Sequence, residues 1–212
     1  EVLDAMPVKL LSRSQGVWHE RGVALAGDQT DAAPVFVWQD RPTDLRPPLE
    51  VPGEQDYLTE IHPQGESFVR TLGDKLARGA AFFIDYGFPE AEYYHPQRHM
   101  GTVMCHQSHQ SDTDPLIDLG HKDITAHVNF TGVALAGNEA GLGVLGYCNQ
   151  AHFLMNCGLL TQMQVADLPT RVMAQKLIME HEMGELFKVI GFYQGEPWQA
   201  IGFTHGDKTH TL

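Results

Sequence analysis

Apolar residues along this chain recur with two rhythms, and the clearest is helical. Phe68, Leu72 and Leu76 stand at i, i+4 and i+8, so the spacing predicts a helix over residues 64–79 with Gly79 as its stop. AAFFID follows at residues 80–85, and a continuous apolar run of that length reads as a strand covered on both faces. Helix, Gly-containing turn and buried strand together predict an α/β fold with a doubly wound parallel sheet. Upstream, GVWHERGVAL (16–25) alternates through Val17, His19, Val23 and Leu25 and reads as two short strands around an Arg-Gly turn. Residues 28–56 read as loop with one strand at Pro34–Trp38. Residues 87–128 lack periodicity and read as a long loop, a length that in a compact domain usually carries function. Asn129 then caps a helix over Phe130–Ala136 closed by Gly137, residues 142–147 form a strand, and Asn149 caps a second helix through Leu154. Residues 169–180 read as a helix with Val172, Met173 and Leu177 on one side. The tail ELFKVIGFYQGEPWQAIGF, about residues 185–204, reads as an antiparallel hairpin around Gln-Gly-Glu-Pro.

Charge narrows the function. The 212 residues carry 14 Lys and Arg against 27 Asp and Glu, a formal charge of −13. No basic stripe exists to neutralise phosphates, so nucleic acid is not an expected partner, whereas a cationic one is. Three cysteines without a CxxC pattern point to free thiols in a reducing compartment, hence a cytoplasmic protein in a bacterium or, alternatively, one of the mitochondrial matrix. No apolar run approaches the roughly 18 residues of a membrane span, so no membrane partner is expected.

Two motifs attract attention and fail on context. GLGVLG (141–146) has the letters of a dinucleotide fingerprint, but a helix precedes it and Leu142, Val144 and Leu145 are strand residues. Its glycines read as packing positions. His106, His109, His121 and His127 cluster in sequence but lack a complete four-ligand set, so no metal site is expected.

The candidate site begins where AAFFID ends. In open α/β sheets ligands bind beyond the carboxyl ends of the strands, and Asp85, Tyr86 and the polar residues of 87–101 stand there. Asp85 is a candidate substrate-binding carboxylate or a cap of the following loop. Tyr86, Tyr93 and Tyr94 are candidate pocket walls or packing residues, and Arg98 a bidentate carboxylate ligand or a surface ion pair. Thr125 and His127 are candidates to close the pocket, His127 by orienting a carboxylate; a satisfied loop histidine is the bland alternative.

EVLDAMPV, FFIDYG, EYYHPQRHMGT, DPLIDLGHKDITAHVNFT and EMGELFKV, in that order across essentially the whole chain, resemble the MidA-like S-adenosylmethionine-dependent methyltransferases. That family includes the mitochondrial complex I assembly methyltransferase, which acts on an arginine of a complex I subunit. The resemblance implies a Rossmann-like methyltransferase fold, with a mainly parallel sheet and a C-terminal antiparallel hairpin. It also implies that residues 1–212 form the C-terminal portion of the domain, the Gly-rich cofactor loop lying upstream. On their own they are then expected to bind S-adenosyl-L-methionine weakly or not at all. The implied cofactor is S-adenosyl-L-methionine, and the implied partner is a protein with a target arginine; homodimerisation is left open.

The resemblance places Glu1 and Asp4 after the fourth strand beside the methyl donor. Glu1 is thereby a catalytic and cofactor-binding candidate, and Asp4 and His127 are catalytic candidates. Carboxylates that grip two guanidinium nitrogens can orient the third as nucleophile. Without the resemblance Glu1 reads as solvated and Asp4 as a turn cap before Pro7. Asn129 departs from the Asp expected in many relatives, which preserves capping but not a negative charge. Two other function classes fit the same residues: an assembly or interaction factor that has lost catalysis, and a small-molecule methyltransferase.

Overall fold

The structure is a computed structural model that describes residues 1–27, 35–108 and 110–212. In chain order its elements begin with β1 (Lys9–Ser14), β2 (Val17–Leu25), β3 (Phe36–Pro42) and β4 (Tyr57–Ile61). There follow α1 (Pro63–Lys75), β5 (Gly79–Phe88), α2 (Glu90–Tyr93), β6 (Met104–Gln107), β7 (Gln110–Asp112), β8 (Asp123–Thr125) and β9 (Val128–Asn129). The last are α3 (Phe130–Glu139), β10 (Gly143–Asn149), α4 (Gln150–Asn156), α5 (Leu159–Val165), α6 (Leu168–Ile178) and β11 (Phe187–Gln194). They divide into two compact units. The first comprises Glu1–Asp4, Gln64–Glu90 and Val128–Leu212, the second Ala5–Pro63 and Ala91–His127.

The first unit is built on one sheet of order β10-β11-β5-β9. β5 and β9 pair in parallel, while β11 runs antiparallel to both of its neighbours, β5 and β10. Three strands therefore point one way, but because the reversed β11 is inserted between two of them, most pairings are antiparallel. The expectation of a mainly parallel sheet is corrected to a mixed one. α3 lies close on β11, where Gly137 is needed because a Cβ there would come within 2.5 Å of the Phe192 ring. Asn129 caps α3 as expected, accepting from the Gly132 N–H at 3.2 Å, and its amide donates to Glu90 Oε1 at 3.3 Å. An Asp at 129 would set two carboxylates against each other.

Several expectations shift in register. α1 buries Gly65, Val69 and Gly73, one residue off the predicted Phe68 stripe, because Gly73 packs directly on Ala140. β5 is not covered on both faces within this chain, since Phe82 and Ile84 are exposed. α6 exposes Val172 and Met173 rather than burying them. The C-terminal hairpin reduces to β11 alone: Ala200 and Phe203 pack their side chains on Cys148 and Val189 instead of extending a strand. GLGVLG is strand and packing, with Gly143 against the Tyr193 ring and Gly146 against Phe203.

The second unit holds two antiparallel sheets, of order β3-β2-β1-β4 and β7-β6-β8. Residues 17–25 form one long strand, β2; the turn lies before it at Gln15 and Gly16, both with positive φ, and not at Arg21-Gly22. Most of the predicted strand at Pro34–Trp38 falls in β3, Pro34 itself lying outside the described residues. The long loop 87–128 contains the three short strands β6, β7 and β8, whose three-residue pairings are too brief for periodicity to reveal. Among the described residues, Leu11, Val51, Tyr57, Tyr93, Tyr94, Cys105 and Ala126 are the unit's buried apolar residues. Among the described residues no helix is long and apolar enough to cross a membrane.

Candidate functional site

The carboxyl ends of β5, β9 and β10 share one edge of the first unit's sheet, by the strand directions above. Gly87 allows β9 to come alongside β5 there, since a Cβ would meet the Val128 carbonyl at 2.0 Å. At this edge Asp85 is buried to 1% exposure. Its Oδ2 accepts the successive backbone N–H groups of Val2, Leu3 and Asp4 at 3.1, 2.9 and 3.3 Å, and its Oδ1 accepts the Tyr86 N–H at 2.9 Å. Three consecutive amides converging on one oxygen make an anion nest of main chain. Burial pushes the Asp85 carboxyl above the ordinary carboxylate range, opposed by these backbone donors and reinforced by the nearby charge of Asp4. With both oxygens occupied by backbone, Asp85 is a clamp on the Glu1–Asp4 segment and has no oxygen free to grip a guanidinium bidentately, as a substrate ligand of that kind must.

The clamp presents Asp4. This carboxylate is 6% exposed, and its Oδ2 accepts the Tyr86 hydroxyl at 2.6 Å. Its Oδ1 is buried and has no hydrogen-bond partner among the described residues. A buried acceptor oxygen without a donor is costly, about 1–3 kcal/mol, so a donor arriving there is favoured. Glu1 is exposed; its backbone nitrogen donates to the Ile84 carbonyl at 3.1 Å, and its carboxylate meets no partner among the described residues. Tyr86 also sets its ring edge-on to Phe187, with centroids 5.5 Å apart. One and two strands over, Lys188 and Asn149 continue the row across the sheet, Lys188 pairing with both Asp85 and Asn149 in register. Lys188 is buried, donates to the Glu185 carbonyl and lies 3.6 Å from the Glu185 carboxylate.

The remaining predicted residues belong to the second unit. There Glu60, 0% exposed, is the hub: Oε1 accepts the N–H groups of Thr102 and Val103 at 2.8 and 3.2 Å, and Oε2 accepts the hydroxyls of Tyr93 and Thr102 at 2.8 and 3.1 Å. Tyr94 donates to the Glu60 carbonyl at 3.0 Å, and the His127 N–H donates to Thr102 Oγ1 at 3.1 Å. The Tyr93 hydroxyl also lies 3.1 Å from His62 Nε2. Burial, and then the neighbouring His127, bring the His62 pKa down to about 4, while burial beside Glu60 pushes that of Tyr93 well up. Tyr94 is thus a buried strut rather than a pocket wall, because its hydroxyl is spent on main chain. Thr125 sits in β8 opposite Met104 with its hydroxyl 3.5 Å from that carbonyl. Arg98 makes the surface ion pair, 3.1 Å from Glu92 Oε1, with its Nε on the Glu92 carbonyl at 3.0 Å.

Among the described residues no group of three or more His, Cys, Asp or Glu is placed to hold a metal ion; His109 lies outside them. Residues 1–148 match the model of a family described as "Putative S-adenosyl-L-methionine-dependent methyltransferase". The chain belongs to this methyltransferase family. A Burkholderia thailandensis superfamily member, whose crystal structure is bound to S-adenosyl-homocysteine, shares 46% identity and a TM-score of 0.92 over all of this chain and 56% of its own. A native crystal structure of a protein of the same superfamily and organism gives 46% identity and a TM-score of 0.91, again over all of this chain and 58% of its own. The methyltransferase-family chain thus spans little more than half the length of these two. Comparison with curated proteins returns no match. The cofactor of the family is S-adenosyl-L-methionine, as its description states.

Sequence reasoning missed Glu60, His62 and Lys188 in this family member. Glu60 and His62 flank the end of β4, in a segment whose only sequence signal is a carboxylate inside an apolar strand, YLTEIH. Lys188 carried the analogous signal, a lone cation within LFKVIGF.

Proposed function

We propose that this chain takes part in S-adenosyl-L-methionine-dependent methyl transfer to an arginine nitrogen of a protein. The observation that carries the reading is the Asp4 carboxylate, buried at the carboxyl end of β5 with Oδ1 lacking any donor among the described residues. S-adenosyl-L-methionine supplies an electrophilic methyl group on a cationic sulfur. Glu1 and Asp4 fit such chemistry, because two carboxylates within four residues favour both a sulfonium and a guanidinium at their edge. Glu1, with its exposed carboxylate, is the group able to take a guanidinium fork bidentately, and Asp4 Oδ1 is the acceptor for a single further N–H. Asp85 contributes by fixing the segment that carries both.

Three lines support the wider reading. β9, β5 and β10 run in one direction with β11 reversed, the strand sense of a Rossmann-like methyltransferase sheet. The Burkholderia relative binds the demethylated cofactor. The MidA-like segments favour a protein arginine, and among proteins a subunit of a respiratory complex. The test is transfer of labelled methyl from S-adenosyl-L-methionine by the intact protein to arginine-containing and lysine-containing peptides. Label on arginine supports the proposal; label on lysine alone, or only on small-molecule acceptors, overturns it. Glu1→Gln adds a second readout, with cofactor affinity retained while arginine-peptide affinity falls.

A further inference from the structure

Asp4 and Tyr86 make a short side-chain contact at the edge of the first unit, 2.6 Å from hydroxyl to Oδ2, and Asp85 accepts the backbone N–H of both. A phenol that donates to one oxygen of a carboxylate fixes the rotation of the whole group. The second oxygen then points in one direction only. Here that second oxygen is the buried, donor-less Oδ1. The main chain on either side is fixed as well, because Asp85 Oδ2 holds the N–H of Asp4 while Asp85 Oδ1 holds the N–H of Tyr86. Both partners of the short contact are therefore tied to one buried carboxylate, which leaves their separation little freedom.

We propose that Tyr86 is a positioning residue: by holding Oδ2 of Asp4 it presents Oδ1 as a single, pre-aimed acceptor for one N–H of the nitrogen to be methylated. This rests on the reading of Asp4 as the substrate-facing carboxylate. It adds a specificity rule. A single acceptor beside a bidentate group reads a nitrogen that still carries a hydrogen after the fork is satisfied, and rejects acceptors that lack an N–H there. Pre-aimed acceptors also act without reorganising when the nucleophile aligns, so their loss shows in kcat more than in KM.

The test is a double-mutant cycle on methyl transfer by the intact protein, with Tyr86→Phe, Asp4→Asn and the combined variant. Tyr86→Phe removes one hydroxyl, keeps the ring against Phe187, and is expected to lower kcat about three- to tenfold, the loss of one oriented hydrogen bond. Cofactor affinity is expected to be unchanged, and the unfolding midpoint, lowered as Oδ2 loses its donor, is expected to stay high enough that the variant is fully folded under assay conditions. The combined variant is expected to be no slower than Asp4→Asn, because Tyr86 acts only through that carboxylate. Losses that multiply in the combined variant overturn the positioning role while leaving Asp4 in place. A fall in unfolding midpoint that accounts for the Tyr86→Phe rate loss does the same. An Asp4→Asn enzyme as fast as the parent overturns both this inference and the reading beneath it.

Discussion

Each unit of the molecule buries a carboxylate near the end of a strand, and the two are treated differently. Glu60 at the end of β4 receives four donors, two from main chain and two from hydroxyls, and every lone acceptor direction it needs is met within its own unit. At the end of β5 the burden is split. Asp85 takes four backbone N–H groups, and the neighbouring Asp4 is left with one buried oxygen unmet. A saturated buried carboxylate organises structure, since its removal strands several donors at once. An unsaturated one stores a preference for a donor that folding does not supply. The contrast separates framework from site without reference to which residues look chemical in the sequence.

The largest expected effect tests the framework side. Glu60→Ala strands the N–H groups of Thr102 and Val103 and the Tyr93 hydroxyl, and should destabilise the second unit by about 3–5 kcal/mol. Chemical unfolding of the variant checks this; a loss below about 1 kcal/mol would erase the distinction between the two carboxylates.

Next comes the histidine beside that hub. His62 is held neutral, its pKa near 4 against about 6.5 when unfolded, first by burial and then by His127. The unfolded chain therefore binds the proton first as pH falls, so stability rises with pH between about 4 and 6.5 and is flat, for this group, above that window. The full span corresponds to about 3 kcal/mol. Unfolding curves at pH 7 and pH 4.5 should show most of that loss in the parent and little of it in His62→Gln. A pH slope that persists in His62→Gln assigns the acid sensitivity elsewhere.

At the small end stands Arg98, whose partner Glu92 is exposed. An exposed pair of this kind contributes about 0–1 kcal/mol, so Arg98→Ala should change neither stability nor transfer rate measurably. A tenfold rise in KM for substrate would restore Arg98 to the site.

How much of this was legible follows the range of each interaction. Asn129 and Asn149 cap their helices through residues three positions on, and both caps stand in the structure as the sequence suggests. Asp85 is legible as a strand-end carboxylate, but its role is not. Its partners Val2, Leu3 and Asp4 lie more than 80 residues away, and the pattern cannot show that backbone fills both of its oxygens. Glu60 is invisible for the same reason: Tyr93 and Thr102 reach it across 33 and 42 residues. Two glycines of GLGVLG were readable, because strand residues between them leave packing as their use, and rings fill the space at Gly143 and Gly146; Gly141 instead precedes the strand at positive φ with nothing within 4 Å. The sense of β11 and the small sheet of β6, β7 and β8 depend on pairing partners that local periodicity does not encode.

The most direct measurement is the rate of methyl transfer to an arginine peptide by Asp4→Asn, at saturating cofactor and peptide, beside its unfolding midpoint. Asparagine keeps the size and can still accept from Tyr86, but it then sets its NH2, a donor, where the unmet acceptor oxygen stood. A charge-assisted hydrogen bond of roughly 1.5–3 kcal/mol corresponds to transfer slowed about ten- to a hundredfold. The account predicts that loss with an unfolding midpoint equal to or above the parent's. An undiminished rate, or a rate loss matched by lost stability, would contradict it.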